Sequence, residues 1–522
     1  MSLIQEFYAG ESILITGGTG FIGKILTAKL LRSCRNIGTI YVLVRPKKGK
    51  TSQERIEALF ENSVFDVLRA ECPQFANNVV GLAGDVESSE LGLSAADRQR
   101  VINEVSIIFH AAASVRFDEE FNKAVSVNVN GVKHIIDIAK SCKNFKVGVC
   151  ISTAFSNCVR ERIDELIYAS PISWEDVNQL TEIAERSNWT ESVRQKFATA
   201  IVGEWPNTYT FTKAIAEGTV AEYAKDMPFA IFRPSIVVAT NKEPVPGWVD
   251  NMIGIHGILA GMGIGVIRTM QVDGDAVVDL VPADMVCNAL LACAWETATT
   301  DKSMRTMIRS VRPNFRHFED VPVYNYVSRP ENSITWKRFY NLCTDYSYTK
   351  PSCSAIYYNS VTLVKSKLVF VILDFFLHLI PALLIDALCR LIGKQPTFHR
   401  LYKKISKMFG VVTFFCTREW DFRNHRVQNL WARLDQKDKE LFPFSTKVLD
   451  WKEYMKILVA GIQKFLLKDK DEDLGKARQR HFILYVIHIA VRLIFVTFVI
   501  WITWKVTCGR TFPARVDGTR YE

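Results

Sequence analysis

Short apolar runs alternate along the first part of the chain with segments in which apolar residues recur every three or four positions. The runs occupy residues 12–16, 40–44, 79–82, 105–109, 147–151 and 229–232. Such runs are typical of strands buried on both faces, and the intervening pattern is typical of amphipathic helices. Strands that alternate with helices build a doubly wound parallel sheet. The pattern therefore predicts an α/β domain over residues 1–300.

The pattern changes after a connecting segment at 301–355. Residues 368–393 are strongly apolar but are interrupted by Asp374, Pro381, Asp386 and Arg390. The pieces between these residues are too short to cross a bilayer. We therefore expect a buried helix pair or an interfacial hairpin here, within a smaller and mostly helical domain over residues 356–470.

A second apolar run covers residues 482–504. At about 1.5 Å per residue it is long enough to cross about 30 Å of hydrocarbon. Arg492 near its middle, with His488 one turn earlier, argues against a span, because a central arginine costs roughly 3 kcal/mol. We expect a membrane anchor helix over residues 481–505, and a helix that crosses the membrane is favoured over one that lies on it.

Composition narrows the classes of protein. Hydrophobic residues make up 48% and charged residues 23% of the 522 positions, which excludes a disordered chain. The net charge of +10 is too small and too dispersed to predict nucleic-acid binding, but it suits anionic lipid or a polyanionic substrate. The 12 cysteines show no metal-ligand spacing, and the first ten residues show no signal peptide. Reduced thiols facing the cytosol, and no metal site, are expected.

A glycine-rich segment follows the first predicted strand directly and opens a helix. One glycine permits a tight turn, one lets the backbone approach a diphosphate, and one allows close helix packing, as in Rossmann-like dinucleotide sites. The helix N-terminus then faces the phosphate charge. The predicted phosphate-binding residues are Thr16, Gly17, Gly18, Thr19, Gly20, Phe21, Ile22 and Gly23.

The end of the second predicted strand indicates which dinucleotide binds. Arg45 stands where an NAD-binding chain usually has an acidic residue, and Lys47 and Lys48 follow. A basic group there binds a 2′-phosphate, which favours NADPH, although a solvated basic loop is the alternative. Asp85 and Val86, after the third strand, are placed to contact the adenine, although Asp85 could equally cap a helix.

The candidate reducing centre is a tyrosine and a lysine four residues apart. Tyr209 and Lys213 share one helix face, so the ammonium is expected to lower the pKa of the phenol toward neutrality. The tyrosine would protonate a carbonyl oxygen while hydride arrives at the carbon. Thr153, or alternatively its neighbour Ser152, would hold that oxygen. A covalent route through Cys150 or Cys158 is less favoured, because no histidine is positioned to activate either thiol.

Several motifs resemble extended short-chain dehydrogenases/reductases, a class that also includes sugar-nucleotide epimerases and hydroxysteroid dehydrogenases. They are the glycine segment, the run HAAASVRF from His110, STAF from Ser152, YTFTK from Tyr209, and Arg233-Pro-Ser235. Further sequence segments resemble the alcohol-forming fatty acyl-CoA reductases more specifically. They are Gly247-Trp-Val-Asp-Asn251, Val281-Pro-Ala-Asp-Met-Val286, Phe414-Phe-Cys-Thr-Arg-Glu-Trp420 and Leu441-Phe-Pro-Phe444.

The resemblance implies NADPH-dependent reduction of a long-chain acyl-CoA, through a bound aldehyde, to a fatty alcohol for wax or ether-lipid synthesis. It implies catalytic roles for Tyr209 and Lys213, and it adds Ala111, Ala112, Pro234 and Ser235 to the cofactor site. A reductase acting on a sterol or nucleotide sugar and a non-catalytic cofactor-binding scaffold are the alternatives.

The expected partners are the acyl-CoA and membrane lipid, with no nucleic acid, and a homo-oligomer stays open. We expect the catalytic domain to face the cytosol from the endoplasmic reticulum or the peroxisome membrane. Glycosylation of the sequon Asn188-Trp-Thr190 would contradict that orientation.

Overall fold

A seven-stranded parallel sheet forms the centre of the computed structural model, which describes residues 1–45, 49–300 and 321–508. Its order is β3-β2-β1-β4-β5-β6-β7, and neighbouring strands pair in parallel. The predicted doubly wound sheet is confirmed. The strands are β1 (Ser12–Thr16), β2 (Ile40–Val44), β3 (Val79–Ala83), β4 (Val105–His110), β5 (Val147–Ile151), β6 (Phe229–Pro234) and β7 (Val323–Tyr326).

Helices cover both faces of this sheet, because alternate strand residues enter two separate apolar cores. On β1, Ile13 and Ile15 enter one core and Leu14 enters the other. The strand order reverses between β1 and β4, and ligands of such sheets bind outside the strand carboxyl ends at that point. The helices of this part are Leu3–Tyr8, Phe21–Ser33, Ser52–Phe60, Asp66–Glu71, Ala95–Glu104, Phe121–Val125, Gly131–Ser141, Trp174–Arg186, Glu191–Val202, Thr208–Tyr223, Ile255–Gly263 and Ala283–Thr299.

Strand β7 lies inside the segment expected to be a connection. It pairs with β6 from Val323 to Tyr326, on the far side of residues 301–320. We therefore propose that the reductase unit extends at least to residue 326. Short strands pair with one another in separate two-stranded sheets and are Arg162–Ile163, Ile236–Val238, Thr269–Gln271, Val277–Val278, Leu280–Pro282, Ile334–Thr335, Thr362–Val364 and Asp421–Phe422.

A helical part packs closely on the sheet domain. A Cβ atom added at Gly461 would lie 1.9 Å from the Gly247 carbonyl oxygen, so only glycine fits at this contact. Nearby, the Tyr454 hydroxyl donates a hydrogen bond of 2.5 Å to the Ala239 carbonyl. The helices are Trp336–Thr349, Lys367–Asp374, Ile380–Leu391, Phe398–Cys416, His425–Arg433, Gln436–Leu441, Trp451–Gly461 and Leu474–Cys508.

Two of these segments are long and apolar enough to cross a membrane, judged by length and composition alone. We call Lys367–Leu391 the apolar helix and Asp471–Lys505 the terminal helix. A π-turn at Phe375–Leu379 joins the two halves of the apolar helix. Only 11% of its most apolar stretch is buried, so the expectation of a buried helix pair at 368–393 is wrong, as is the expectation that its pieces are too short to cross a bilayer. The interfacial hairpin stays a prediction.

The acids that interrupt the apolar helix explain this error. The Asp386 carboxylate accepts hydrogen bonds of 2.9 Å from the backbone N–H groups of Phe398 and His399. Asp374 is paired with His378 at 2.8 Å and accepts a 2.9 Å hydrogen bond from the Tyr402 hydroxyl. Both acids therefore bind neighbouring parts of the helical domain, while apolar side chains cover the exposed face. The interruptions do not divide the helix.

Candidate active site

The glycine-rich turn has the backbone geometry of a phosphate-binding loop. Gly17 has a φ of 70°, and a Cβ atom on it would lie 2.6 Å from the Ala111 carbonyl carbon. A Cβ atom on Gly23 would lie 2.3 Å from the Gly17 carbonyl oxygen, so the helix Phe21–Ser33 packs directly on the turn. No side chain of the described residues caps this helix. Its first amides can therefore bind a diphosphate, which fits a dinucleotide.

Two buried polar groups hold this turn against β4. The Thr16 hydroxyl is hydrogen-bonded to Nδ1 of His110 at 2.8 Å and accepts a hydrogen bond of 3.3 Å from the Ala112 backbone N–H. Burial, assisted by the charge of Lys213, lowers the pKa of His110 to about 3. The imidazole is therefore neutral at physiological pH and acts as a fixed brace.

Basic groups gather at the end of β2. Arg45 is exposed, and the Arg55 guanidinium donates a hydrogen bond to its carbonyl oxygen. Arg55 was not predicted, because it lies one turn inside the following helix, and nothing in the local pattern points it toward Arg45. Lys47 and Lys48 lie outside the described residues. Asp85 is half-buried and accepts a hydrogen bond of 3.2 Å from the Glu87 N–H, and Val86 is buried.

Tyr209, Thr153 and Lys213 come together at the carboxyl edge of the sheet. Burial raises the pKa of Tyr209 to about 12, while the nearby Thr153 hydroxyl acts to lower it. The Lys213 ammonium donates a hydrogen bond of 2.8 Å to the Ile151 carbonyl, and burial lowers its pKa to about 8. The expected lowering of the tyrosine pKa toward neutrality is not seen, because the effect of burial is larger.

Ser152 points into a buried ion pair. Its hydroxyl donates a hydrogen bond of 2.5 Å to the Glu217 carboxylate, which pairs with Arg233 at 2.6 Å. Arg233 also donates to the Leu166 carbonyl at 2.9 Å. Ser152 is therefore committed to this network, whereas Thr153 is beside the tyrosine. Pro234 ends β6, and Ser235, which is buried, donates its N–H to the Tyr326 carbonyl at 3.0 Å.

Comparison with known proteins assigns the chain to a family. Two family models, both described as Male sterility protein, match residues 15–290 and 377–469. The chain is 37% identical over 500 residues to Fatty acyl-CoA reductase wat of Drosophila melanogaster, which covers 96% of this chain and 92% of that protein. It is 33% identical over 521 residues to human Fatty acyl-CoA reductase 1, covering 99% and 95%. The chain belongs to the fatty acyl-CoA reductase family.

The predicted family is confirmed, and with it the assignment of an NAD(P)-dependent oxidoreductase that binds a nicotinamide cofactor. Solved structures support the fold. The reductase domain of a nonribosomal peptide synthetase from Mycobacterium tuberculosis matches with a TM-score of 0.55 at 17% identity, covering 88% of this chain and 96% of that one. The terminal R domain of the myxalamid pathway matches with a TM-score of 0.52 at 18% identity, covering 87% and 90%.

The reductase also positions polar groups that the sequence did not indicate. Asn128, fully buried in a π-turn between two helices, accepts the Ser114 N–H at 2.8 Å and donates to the Thr212 hydroxyl at 3.0 Å. It thereby fixes the helix of Tyr209 against the loop after β4. Glu217 and Arg233 were missed as a pair since a strand and a helix bring them together. In the sequence, only the run NVNG could have indicated Asn128, and only the occurrence of a charge within an apolar segment could have indicated Glu217 and Arg233.

An aromatic cluster from both halves of the chain adjoins Tyr209 through Phe117. Phe117 lies 5.8 Å from the Tyr209 ring and 5.7 Å from Phe415, which belongs to the helical part. Phe155, two residues after Thr153, lies 5.4 Å from Phe415. Lys407, on the same helix as Phe415, is paired at 2.6 Å with Asp118 beside Phe117. The helical part therefore contributes directly to the wall of the site.

The two cysteines near the site are not poised for nucleophilic attack. Burial raises the pKa of Cys150 and of Cys158 to about 12. A thiol with such a pKa holds almost no thiolate near neutral pH, and the thiolate is the nucleophile. The structure thus favours a packing role for both side chains.

Proposed function

We propose that this reductase uses NADPH to reduce long-chain fatty acyl-CoA to fatty alcohol through an aldehyde that stays bound. The names of its relatives support the acyl-CoA substrate. The observation that carries the proposal is the placement of Tyr209 beside Thr153, with Lys213 behind them, at the strand ends next to the glycine turn. The alcohol would serve wax or ether-lipid synthesis.

The side chains fit the proton chemistry of this reaction. A bound dinucleotide supplies hydride, and the residues of this chain manage the substrate oxygen. We assign Tyr209 and Thr153 to hydrogen-bond that oxygen as negative charge develops on it. Because the pKa of Tyr209 is about 12, its phenol keeps its proton and can donate it. Collapse of the tetrahedral adduct passes the proton of its hydroxyl to the departing sulfur and releases the CoA thiol. The same two hydroxyls would then bind the aldehyde oxygen, and a second dinucleotide would supply the hydride for its reduction.

NADPH rather than NADH is supported by the charge at the end of β2. Arg45 directly follows this strand with its side chain exposed, and the Arg55 guanidinium lies against the Arg45 backbone carbonyl, so both basic residues are near the position where the 2′-phosphate would be expected. Guanidinium groups bind phosphate oxygens in pairs, which a ribose hydroxyl does not require. We therefore assign both arginines to the 2′-phosphate.

The aromatic cluster supports an apolar acyl chain. Phe117 contacts the Tyr209 ring, and Phe415 and Phe155 extend this apolar surface away from it. Such a wall excludes water and would retain the aldehyde between the two reductions. The exposed apolar surfaces of the apolar and terminal helices support attachment to a membrane. We assign this membrane to the endoplasmic reticulum or the peroxisome, with the site facing the cytosol. Asn188 is exposed, so its glycosylation in cells would overturn this orientation.

The test is a product assay on purified full-length protein in detergent. Acyl-CoAs of increasing chain length are supplied with NADPH or NADH, products are identified by mass spectrometry, and oxidised cofactor is counted. Two NADPH consumed for each alcohol formed supports the proposal. Consumption of one NADPH with release of free aldehyde contradicts alcohol formation. The cofactor assignment is contradicted if the preference for NADPH over NADH is the same in wild type and in Arg45→Ala.

A further inference from the structure

Two arginines, Arg268 and Arg492, lie near the contact between the terminal helix and Tyr357. Arg268 directly precedes the strand Thr269–Gln271, and its guanidinium stacks on the Tyr357 ring at 4.3 Å. The Tyr357 hydroxyl is hydrogen-bonded to Nδ1 of His488 at 3.1 Å. Arg492 follows His488 by one helical turn. This brings the arginine that interrupts the apolar run close to a second arginine.

No counter-ion for this pair lies within residues 1–45, 49–300 and 321–508. Neither Arg268 nor Arg492 forms an ion pair there, and Nε of Arg268 is buried without a hydrogen-bond partner. Asp374, the nearer acid of the adjoining apolar helix to His378, is hydrogen-bonded to His378 and Tyr402. Burial, and to a lesser extent the charge of Arg492, lower the pKa of Arg268, whereas Tyr357 acts to raise it. Like charges brought together without a partner are unfavourable, so an anion would stabilise them.

Exposed apolar side chains surround the pair. The backbone N–H of Arg268 donates a hydrogen bond of 2.8 Å to Nε2 of His378, which ties the site to the apolar helix. The rings of Phe376 and Phe495 lie 6.2 Å apart and join the apolar helix to the terminal helix. Large hydrophobic residues on both helices are open to solvent around this junction, including Phe375, Phe376, Leu493, Ile494 and Phe495.

We propose that Arg268 and Arg492 form a binding site for the phosphate of an anionic phospholipid. Guanidinium groups bind phosphate through paired hydrogen bonds, and the exposed apolar side chains match the acyl chains of the same molecule. A freely soluble anion would not need that apolar border. The site gives Arg492 a partner at the level of the lipid headgroups, which places this part of the terminal helix at the membrane interface and not at the centre of the bilayer. The inference rests on the membrane attachment proposed above.

The test measures lipid bound to the full-length protein in detergent, without NADPH or acyl-CoA. Purified wild type is incubated with phosphatidate or with phosphatidylcholine, and native mass spectrometry counts retained lipid. We expect one phosphatidate retained at least tenfold more tightly than phosphatidylcholine. Arg492→Gln, at an exposed position, and Arg268→Gln should each abolish that preference, while Arg492→Lys restores part of it. Arg480→Gln, on the same helix, is the matched control and should behave as wild type.

Three results would overturn the site. They are equal retention of both lipids by wild type, an unchanged preference in both glutamine variants, and displacement of phosphatidate by free CoA or inorganic phosphate at similar concentrations. The last would mark a site for a soluble phosphate instead. Because the lipid assay contains neither substrate nor cofactor, its result does not depend on whether the proposed reaction is correct. A variant that loses the lipid preference but keeps full catalytic turnover would separate the two proposals.

Discussion

Two apolar helices of this reductase have opposite surroundings. The helix Ala283–Thr299 is buried almost throughout, and Leu290 and Leu291 are 0% exposed. On the apolar helix, Leu384 and Leu388 are each 60% exposed. Apolar composition alone therefore does not separate a core helix from a membrane-facing one. The placement of the acids does, because Asp374 and Asp386 bind the protein and leave the exposed face between them apolar.

The same contrast holds for the regions around the two helices. At the carboxyl edge of the sheet, buried polar groups such as Ser152, Glu217 and Arg233 are hydrogen-bonded to one another. On the apolar and terminal helices, exposed apolar groups dominate. Damage to the first region should appear in chemistry or folding in any medium, whereas damage to the exposed apolar face should appear only when a membrane is present.

The largest expected effect is on chemistry. Tyr209→Phe removes the proposed proton donor and should lower kcat about a thousandfold in detergent, since general acids contribute on the order of 10²–10⁴. Fluorescence titration should show unchanged NADPH binding. Tyr223→Phe, at the far end of the same helix, should stay near wild type. A Tyr209→Phe enzyme with more than a tenth of wild-type kcat would show that the tyrosine is not the donor.

A second expected effect is on folding. Glu217→Gln leaves Arg233 buried without its carboxylate, so the free energy of unfolding should fall by about 3 kcal/mol or more. Denaturant unfolding of the detergent-solubilised protein measures this. Glu222→Gln, exposed on the same helix, should change it by less than about 0.5 kcal/mol. An equal decrease in the free energy of unfolding in both variants would show that the buried ion pair does not stabilise the fold.

The comparison of the two helices can be tested by replacing one leucine with alanine in each helix. Leu290→Ala should lower the free energy of unfolding by about 2–3 kcal/mol, because it opens a cavity in the core. Leu384→Ala should leave it within about 0.5 kcal/mol. If Leu384→Ala were as destabilising in detergent as Leu290→Ala, the apolar helix would be part of the core.

The smallest expected effect is a pH dependence. The pKa of Lys213 is about 8, so its ammonium loses its proton as the pH rises through about 8. If the cation orients the site, kcat/KM should be level below that pH and fall tenfold for each further unit, about 1.4 kcal/mol. Lys213→Arg keeps its charge and should remain level to pH 10. A wild-type profile that is level to pH 10 would contradict a role for the cation.

The sequence predicted those parts of the fold and site that depend on local pattern. Apolar runs located the strands, and the spacing of Gly17, Gly20 and Gly23 located the turn. The spacing of Tyr209 and Lys213 placed both on one helix. Each of these signals lies within a few residues of chain, where backbone geometry leaves few alternatives.

The remaining features depend on residues distant in sequence. Ser152 and Thr153 are adjacent, and only the position of Glu217 on another element separates their roles. The apolar helix was misjudged because the partners of its acids, Tyr402 and the backbone N–H groups at 398–399, come from a different helix. Burial likewise raises the pKa of Tyr209, and the degree of burial cannot be deduced from the spacing of residues in the sequence.

The contact between Gly247 and Gly461 has a consequence for how the protein is made. The loop that begins at Gly247 carries Trp248, which stacks on Phe21 at 5.5 Å, and Asp250, which pairs with Lys24 on the same helix. When the ribosome has synthesised the glycine turn, Tyr209 and Lys213, it has not yet synthesised the helix that contains Gly461, against which this loop packs. Contacts between such distant parts form slowly, and the unfinished surface is prone to aggregate. A nascent reductase should depend on chaperones until residue 461 has emerged.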